Sequence, residues 1–290
     1  MRREPSVLAG YGFVAPNFAL LGLFVFVPLA GAVVISLQRT NGFGGGVFAG
    51  LDNYARLFAD PLFWRSAGNT VLFTAIITPL SMGLGLLVAL LLDSVLPARA
   101  LFRSAIIVPM AVSGVATALA GRLIFDENSG VLDLALRGLG LPSVSWQSNG
   151  VASFASVVAV TVWWRVGFNM IVYLAGLQGI GVALKEAALL DGATAGQRLR
   201  FITVPLLGPT SFFLLIVNVI FSFSLFDIVF VMTGGGPADA TSVLVTYAYD
   251  QGFVSRDQGY AAAIGVVLLL ATLVFTAVQW RGNRGRDVTE

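Results

Sequence analysis

Few side chains in this sequence can do chemistry. None of its 290 residues is cysteine or histidine, and Lys185 is the only lysine. Thiol nucleophiles, imidazole bases and the commonest transition-metal ligands are therefore missing together. What remains is charge and hydrogen bonding. Thr161, Arg165, Asn169 and Tyr173 recur every four residues, so a helix would carry them on one face. Asn218 and Ser222 repeat that spacing in a later apolar run, with Asp227 on the opposite side. Such groups either hydrogen-bond a solute or hydrogen-bond one another between helices. Both readings stand for this stripe. Arg165 is its sharpest member, because a buried guanidinium needs an acceptor, and its fork suits phosphate oxygens as well as sugar hydroxyls. Asp227 lies near the end of its run, where capping or reaching toward water is the simpler role. Its depth differs from that of Arg165 by roughly 13 Å at the helical rise, an offset that shrinks if the run carrying Arg165 begins near Val158.

The second polar concentration is Lys185–Pro205. Helix formers fill Leu184–Leu190, and Asp191-Gly192 then stops the helix, glycine taking a left-handed cap without strain. Thr194 and Gln197 have the spacing of a capping box that opens a second short helix. Arg198 and Arg200 fall toward its end, where cations suit the helix dipole. By local chemistry this is a compact helix–turn–helix set between two very apolar stretches.

Those stretches define the class. Apolar residues make up 57% of the chain and charged residues 11%, against roughly a quarter charged in soluble domains. The expectation is an all-α, polytopic membrane protein with one transmembrane domain over residues 1–290. Six spans are expected at about 13–37, 69–92, 104–121, 151–177, 210–232 and 261–280. Met1–Val7 with Arg2 and Arg3, and the tail with Arg281, Arg284 and Arg286, flank them. The first run is too long for a signal-peptide core and has no clear cleavage site, so it is expected to remain as a span. The termini and the loops on their side carry ten basic residues, whereas the opposite loops carry six basic and eight acidic ones. That bias predicts cytoplasmic termini and a cytoplasmic loop over residues 178–209. Net charge of +2 with scattered basic residues gives no reason to expect nucleic acid.

Glu186-Ala187-Ala188, Gly192, Ile202, Val204 and Pro205 have the spacing of the Glu-Ala-Ala loop in permeases of binding-protein-dependent ABC importers. Val204 replaces the family's usual Leu. Leu51-Asp52-Asn53-Tyr54, Phe102-Arg103-Ser104 with Pro109, Leu174–Gln178, and Phe226-Asp227 through Thr233-Gly234-Gly235-Gly236-Pro237 also resemble that family, in its carbohydrate class. Gly181 stands where that class usually has Pro. The resemblance implies a type I importer permease fold in the cytoplasmic membrane of a prokaryote. It also implies a second, different permease subunit, two copies of a cytoplasmic ATPase and an extracytoplasmic solute-binding protein. Glu186, Ala187, Ala188, Asp191 and Gly192 would couple the chain to the ATPase. Arg165, Asn169, Tyr173, Asn218, Ser222 and Asp227 are the candidates for the solute pathway. Members of the class import oligosaccharides and glycerol phosphates or their diesters.

No Gly-x-x-x-x-Gly-Lys-Ser/Thr phosphate loop occurs, so the chain is expected to bind no cofactor, with ATP and Mg²⁺ used by the partner ATPase. An intramembrane enzyme would need an aspartyl pair or a Ser–His or Ser–Lys dyad, and none can be assembled from these residues. A stand-alone secondary transporter is the alternative. It would be expected to show paired repeats with matching broken helices, and the sequence shows no repeat.

Overall fold

The computed structural model describes residues 7–42, 44–93 and 98–283. The basic ends with Arg2, Arg3, Arg284 and Arg286 lie outside the described residues. The apolar runs become helices because lipid offers no partner for a backbone N–H or C=O, and a helix satisfies both within one segment. Four helical stretches are long and apolar enough to cross a membrane, and two bent helix pairs bring the number to six. Within the chain, contacts define two compact units.

The first unit takes the chain to Pro61 and then Tyr247–Leu270. Helices α1 (Val7–Leu21) and α2 (Val27–Ser36) form one span through the wider turn Gly22–Phe26. Strands β1 (Gln38–Arg39) and β2 (Val47–Phe48) pair antiparallel, Gln38 opposite Phe48. Next comes α3 (Asp52–Ala59), while the end of α14 (Leu244–Tyr249) and the start of α15 (Gln258–Asn283) return to this unit from far along the chain. Side chains lock the joint after the first span. The buried Asn53 amide donates to the carbonyls of Ser36 at 2.8 Å and Gln38 at 2.9 Å, and Tyr54 Oη meets Ser36 Oγ at 2.7 Å. Asp60 accepts from the hydroxyls of Tyr247 and Tyr260, and Arg56 pairs with Asp257 while lying over the Tyr260 ring.

The second unit holds Leu62–Thr246 and the end of α15. Its helices are α4 (Pro61–Asp93), α5 (Arg99–Ala111), α6 (Gly114–Ile124), α7 (Val131–Gly138), α8 (Gly150–Gln178), α9 (Val182–Leu190), α10 (Ala195–Arg198), α11 (Val204–Leu206), α12 (Gly208–Phe223) and α13 (Asp227–Met232). Among the four spans that are not bent pairs α8 is the most buried, with more than half of its most apolar stretch inside. Two apolar clusters line it. One joins Phe73 and Ile77 of α4 to Val157 and Val160 of α8 and Val229 of α13; the other joins Ala89 of α4 to Met170 and Leu177 of α8 and Leu214 of α12.

Two expected spans differ in form. The third is not a straight 104–121 helix, because α5 and α6 meet at 102°. Pro109 removes a backbone donor near the end of α5, Val112 and Ser113 turn extended, and the Ser113 hydroxyl then accepts from Ala116 N to start α6 afresh. The fifth does not run unbroken over 210–232. It stops at Phe223, and α13 begins at Asp227, whose carboxylate suits a helix N-terminus. A further bend of 64° precedes α12, where Gly208-Pro209 opens a new helix.

The polar loop after α6 is ordered by carboxylates. Asp126 accepts from the amides of Asn128 and Ser129, and Glu127 accepts from the amides of Gln147 and Ser148 and from the Ser148 hydroxyl. Phe125 and Trp146 pack edge to face in the same region. The Ser148 hydroxyl bond holds the Glu127 carboxyl below its ordinary value, and the Ser129 amide does the same for Asp126. Folded values that lie below the unfolded ones mean that these bonds stabilise the loop fully above the ordinary carboxylate range. They fail as pH falls through the lowered values. Trp146 emission is therefore expected to stay constant from neutral pH to mildly acid conditions and to shift only below the usual carboxylate range, and Glu127→Gln is expected to remove most of that shift.

Candidate functional site

The stripe on α8 faces inward. Thr161 and Asn169 are fully buried and Tyr173 nearly so, while Arg165 is partly buried. Asn218 and Ser222 of α12 are buried as well. Between the two helices the amides of Asn169 and Asn218 exchange hydrogen bonds, Asn218 Nδ2 donating to Asn169 Oδ1 at 2.7 Å and Asn169 Nδ2 to Asn218 Oδ1 at 3.4 Å. Their remaining donor capacity goes to the carbonyls of Arg165 and Leu214. Ser81 of α4 reaches the same Asn218 oxygen at 3.5 Å. The two asparagines are thus satisfied by the protein, and they hold α8 to α12.

Arg165 is not satisfied. One terminal nitrogen donates to Asn218 Oδ1 at 3.3 Å, and its Nε is buried with no hydrogen-bond partner. Its guanidinium lies 4.9 Å from the Phe168 ring centroid and 4.1 Å from that of Phe221. Both rings lie within cation–π distance of the guanidinium. Among the described residues no carboxylate pairs with it. Asp227 in particular does not; it is exposed beside Gly114, the first residue of α6, where an added Cβ would lie 2.7 Å from its Oδ2. Ser222 Oγ is also buried without a partner, whereas the Tyr173 hydroxyl donates to Ser211 at 3.2 Å.

A second polar stripe went unread in the sequence. Ser66, Thr70, Thr74 and Thr78 recur every four residues on α4, all are buried, and Ser81 continues the same side. The signal was the same spacing that marked α8. Hydroxyls raise less suspicion because each can bond the carbonyl one turn back, as Thr70 and Thr74 do. This α4 face is what meets the asparagine pair. At Gly85 an added Cβ would lie 2.5 Å from Asn169 Cβ and 3.1 Å from its backbone carbon. Gly85→Ala is expected to cost about 2 kcal/mol of unfolding free energy, measured in lipid nanodiscs. Gly83→Ala, with nothing within 4 Å, is expected to cost nothing by that route.

The polar loop between α8 and α12 forms as its sequence predicts. Helix α9 ends at Leu190, Gly192 turns left-handed with φ of +74°, and Thr194 and Gln197 cap α10 reciprocally. Ala188 is buried, whereas Glu186, Ala187, Asp191 and Gly192 are exposed. Leu189 and Leu190 are exposed too, Leu190 at 90%. Helix α9 thus presents an apolar edge together with a carboxylate that has no partner among the described residues.

Residues 81–284 match the family of binding-protein-dependent transport system inner membrane components. The chain belongs to that family. It is 36% identical to the sn-glycerol-3-phosphate transport system permease protein UgpA of Agrobacterium fabrum, over 96% of this chain and 95% of that one. The protein of the same name from Yersinia pseudotuberculosis is 34% identical, over 93% and 92%. In fold the chain is similar to a chain of the crystal structure of a bacterial alginate ABC transporter in complex with alginate pentasaccharide-bound periplasmic protein. The TM-score there is 0.85 at 23% identity, covering 97% of this chain and 96% of that one. A chain of an amino acid ABC transporter is more distant, at a TM-score of 0.53. This permease is therefore a multi-pass membrane component of an ABC importer that works with a binding protein, and it is not itself an enzyme. The stand-alone transporter is set aside by the same findings.

Proposed function

We propose that this permease carries a sugar or sugar-like solute, an oligosaccharide or a glycerol phosphate or phosphodiester, across the cytoplasmic membrane of a prokaryote by alternating access. Both termini and the α9–α11 loop face the cytoplasm. The chain pairs with a second, different permease and with two copies of an ATPase, and a binding protein delivers the solute from outside. ATP and Mg²⁺ act in the ATPase, and this chain binds no cofactor.

The observation that carries the proposal is Arg165, whose Nε lacks a partner, in the middle of the inward-facing span α8. A guanidinium beside two rings that no carboxylate among the described residues pairs with is costly in a membrane unless something uses it. A phosphate or hydroxyl of the solute supplies the missing acceptor. Asn169 and Asn218 set its position, and Tyr173, Ser222 and Asp227 complete the pathway along α8, α12 and α13. At the other end, Glu186 and Ala187 meet the ATPase, Ala188 seats α9 against its own chain, and Asp191-Gly192 makes the turn. ATP-driven closure of the ATPase dimer pulls on this loop and rocks the spans. The relatives named for glycerol phosphate support the phosphorylated solute.

The test is ATPase activity of the assembled complex in nanodiscs, with its binding protein and a panel of sugars and glycerol phosphates. Stimulation by one solute names the cargo. A complex that no member of the panel stimulates would rule out this solute class.

A further inference from the structure

Beneath the α9 turn lies a cavity of about 430 Å³, bounded by the end of α4, the end of α8 and the helices of the polar loop. Its polar lining is Lys185, Arg198, Asp93 and Thr203, and its apolar wall includes Leu90, Leu177 and Leu199. Lys185 Nζ is 3.4 Å from Asp93 Oδ2, so one cation is balanced. Arg198 is not. Its Nε is buried without a partner, and no hydrogen bond or ion pair joins its guanidinium to any described residue. A guanidinium that lines a cavity, with no carboxylate among the described residues to pair it, has its terminal nitrogens to offer an anion there.

We infer that this cavity binds the phosphate of an anionic phospholipid, with Arg198 as its main ligand and Lys185 as the second. Three features select a lipid. The cavity sits where the apolar runs of α4 and α8 stop, the level at which headgroup phosphates lie. Its walls are apolar on the span side, at Leu90 and Leu177, and cationic on the loop side. The guanidinium fork matches phosphate oxygens in a two-point geometry. Basic pockets between spans on the cytoplasmic side suit anionic headgroups. The inference rests on the cytoplasmic placement of the α9–α11 loop. A lipid bound there would brace the loop from below while leaving exposed Glu186 free for the ATPase.

The experiment measures phosphatidylglycerol and phosphatidylcholine retained by the purified complex after exchange from mixed vesicles into detergent, per folded copy. The complex is expected to retain phosphatidylglycerol in preference. Arg198→Gln is expected to cut that retention about fivefold, the worth of one cation near a charged membrane surface. Lys185→Gln should cut it less, because Asp93 already occupies that ammonium. Arg281→Gln, a cation outside the cavity, should leave retention unchanged. Equal retention in the wild type and Arg198→Gln overturns the assignment, as does an equal loss in Arg281→Gln. Two further outcomes also overturn it. Inorganic phosphate that displaces the lipid at millimolar concentration would make the site one for a soluble anion. Unchanged lipid with weakened ATPase capture in Arg198→Gln would make it a docking site for an ATPase carboxylate. Lipid retention does not require coupling, so it fails or holds independently of transport.

Discussion

Glu186→Arg is expected to weaken ATPase capture about thirtyfold and to abolish solute-stimulated hydrolysis, while leaving the chain inserted. Removing a charge that becomes desolvated in an interface costs on the order of 2–5 kcal/mol, and reversal adds repulsion to that loss. The chain itself should tolerate the change, because Glu186 is exposed and has no partner among the described residues. Leu189 and Leu190 are exposed on the same helix and would supply the apolar part of such a contact. Pull-down of the ATPase and hydrolysis with and without solute measure the two effects. The neutral Glu186→Gln should fall between wild type and Glu186→Arg. Full coupling in Glu186→Arg would count against the docking role of α9.

The second large effect is expected at Arg165. Arg165→Gln should lower kcat/KM for a phosphorylated solute about a hundredfold, within the range for deleting one partner of a desolvated charge pair. Arg165→Lys should recover only part of it, because an ammonium keeps the charge and loses the fork and the stacking on Phe168 and Phe221. A neutral sugar provides the control. If Arg165 only joins α8 to α12 through Asn218, both solutes suffer alike and the unfolding temperature falls with them. If it reads the solute, the phosphorylated one suffers far more and the unfolding temperature holds. Asn218→Ala should give the opposite pattern, a stability loss with no preference between solutes, since it orphans Asn169 and leaves Arg165 without its one acceptor.

How far each feature was legible depended on how many residues apart its causes lie. The turn at Asp191-Gly192 and the capping box at Thr194–Gln197 are each written within four residues, and both formed where local chemistry placed them. The same holds for the apolar runs, since a segment in lipid must close its own hydrogen bonds. The inward face of α8 followed from spacing alone, because four-residue recurrence defines a face whatever the neighbours are. The short motif around Glu186 also came from the sequence, as matched spacing.

What no local pattern contained was which face meets which. That Asn169 pairs with Asn218, and that Arg165 borrows the same amide oxygen in place of Asp227, depends on the rotation of α8 against α12 and on α4 approaching closely at Gly85. The 102° break between α5 and α6 needed Pro109, an extended Val112 and the Ser113 cap to act together, and each alone is compatible with a straight span. The cavity under α9 joins Asp93, Leu177 and Arg198, three residues widely separated along the chain. Hydropathy and spacing act along one helix at a time, so they determine the elements and their inward faces; distances between helices are set by packing, and packing alone decided which buried groups found partners and which, like Arg165 Nε and Arg198 Nε, did not.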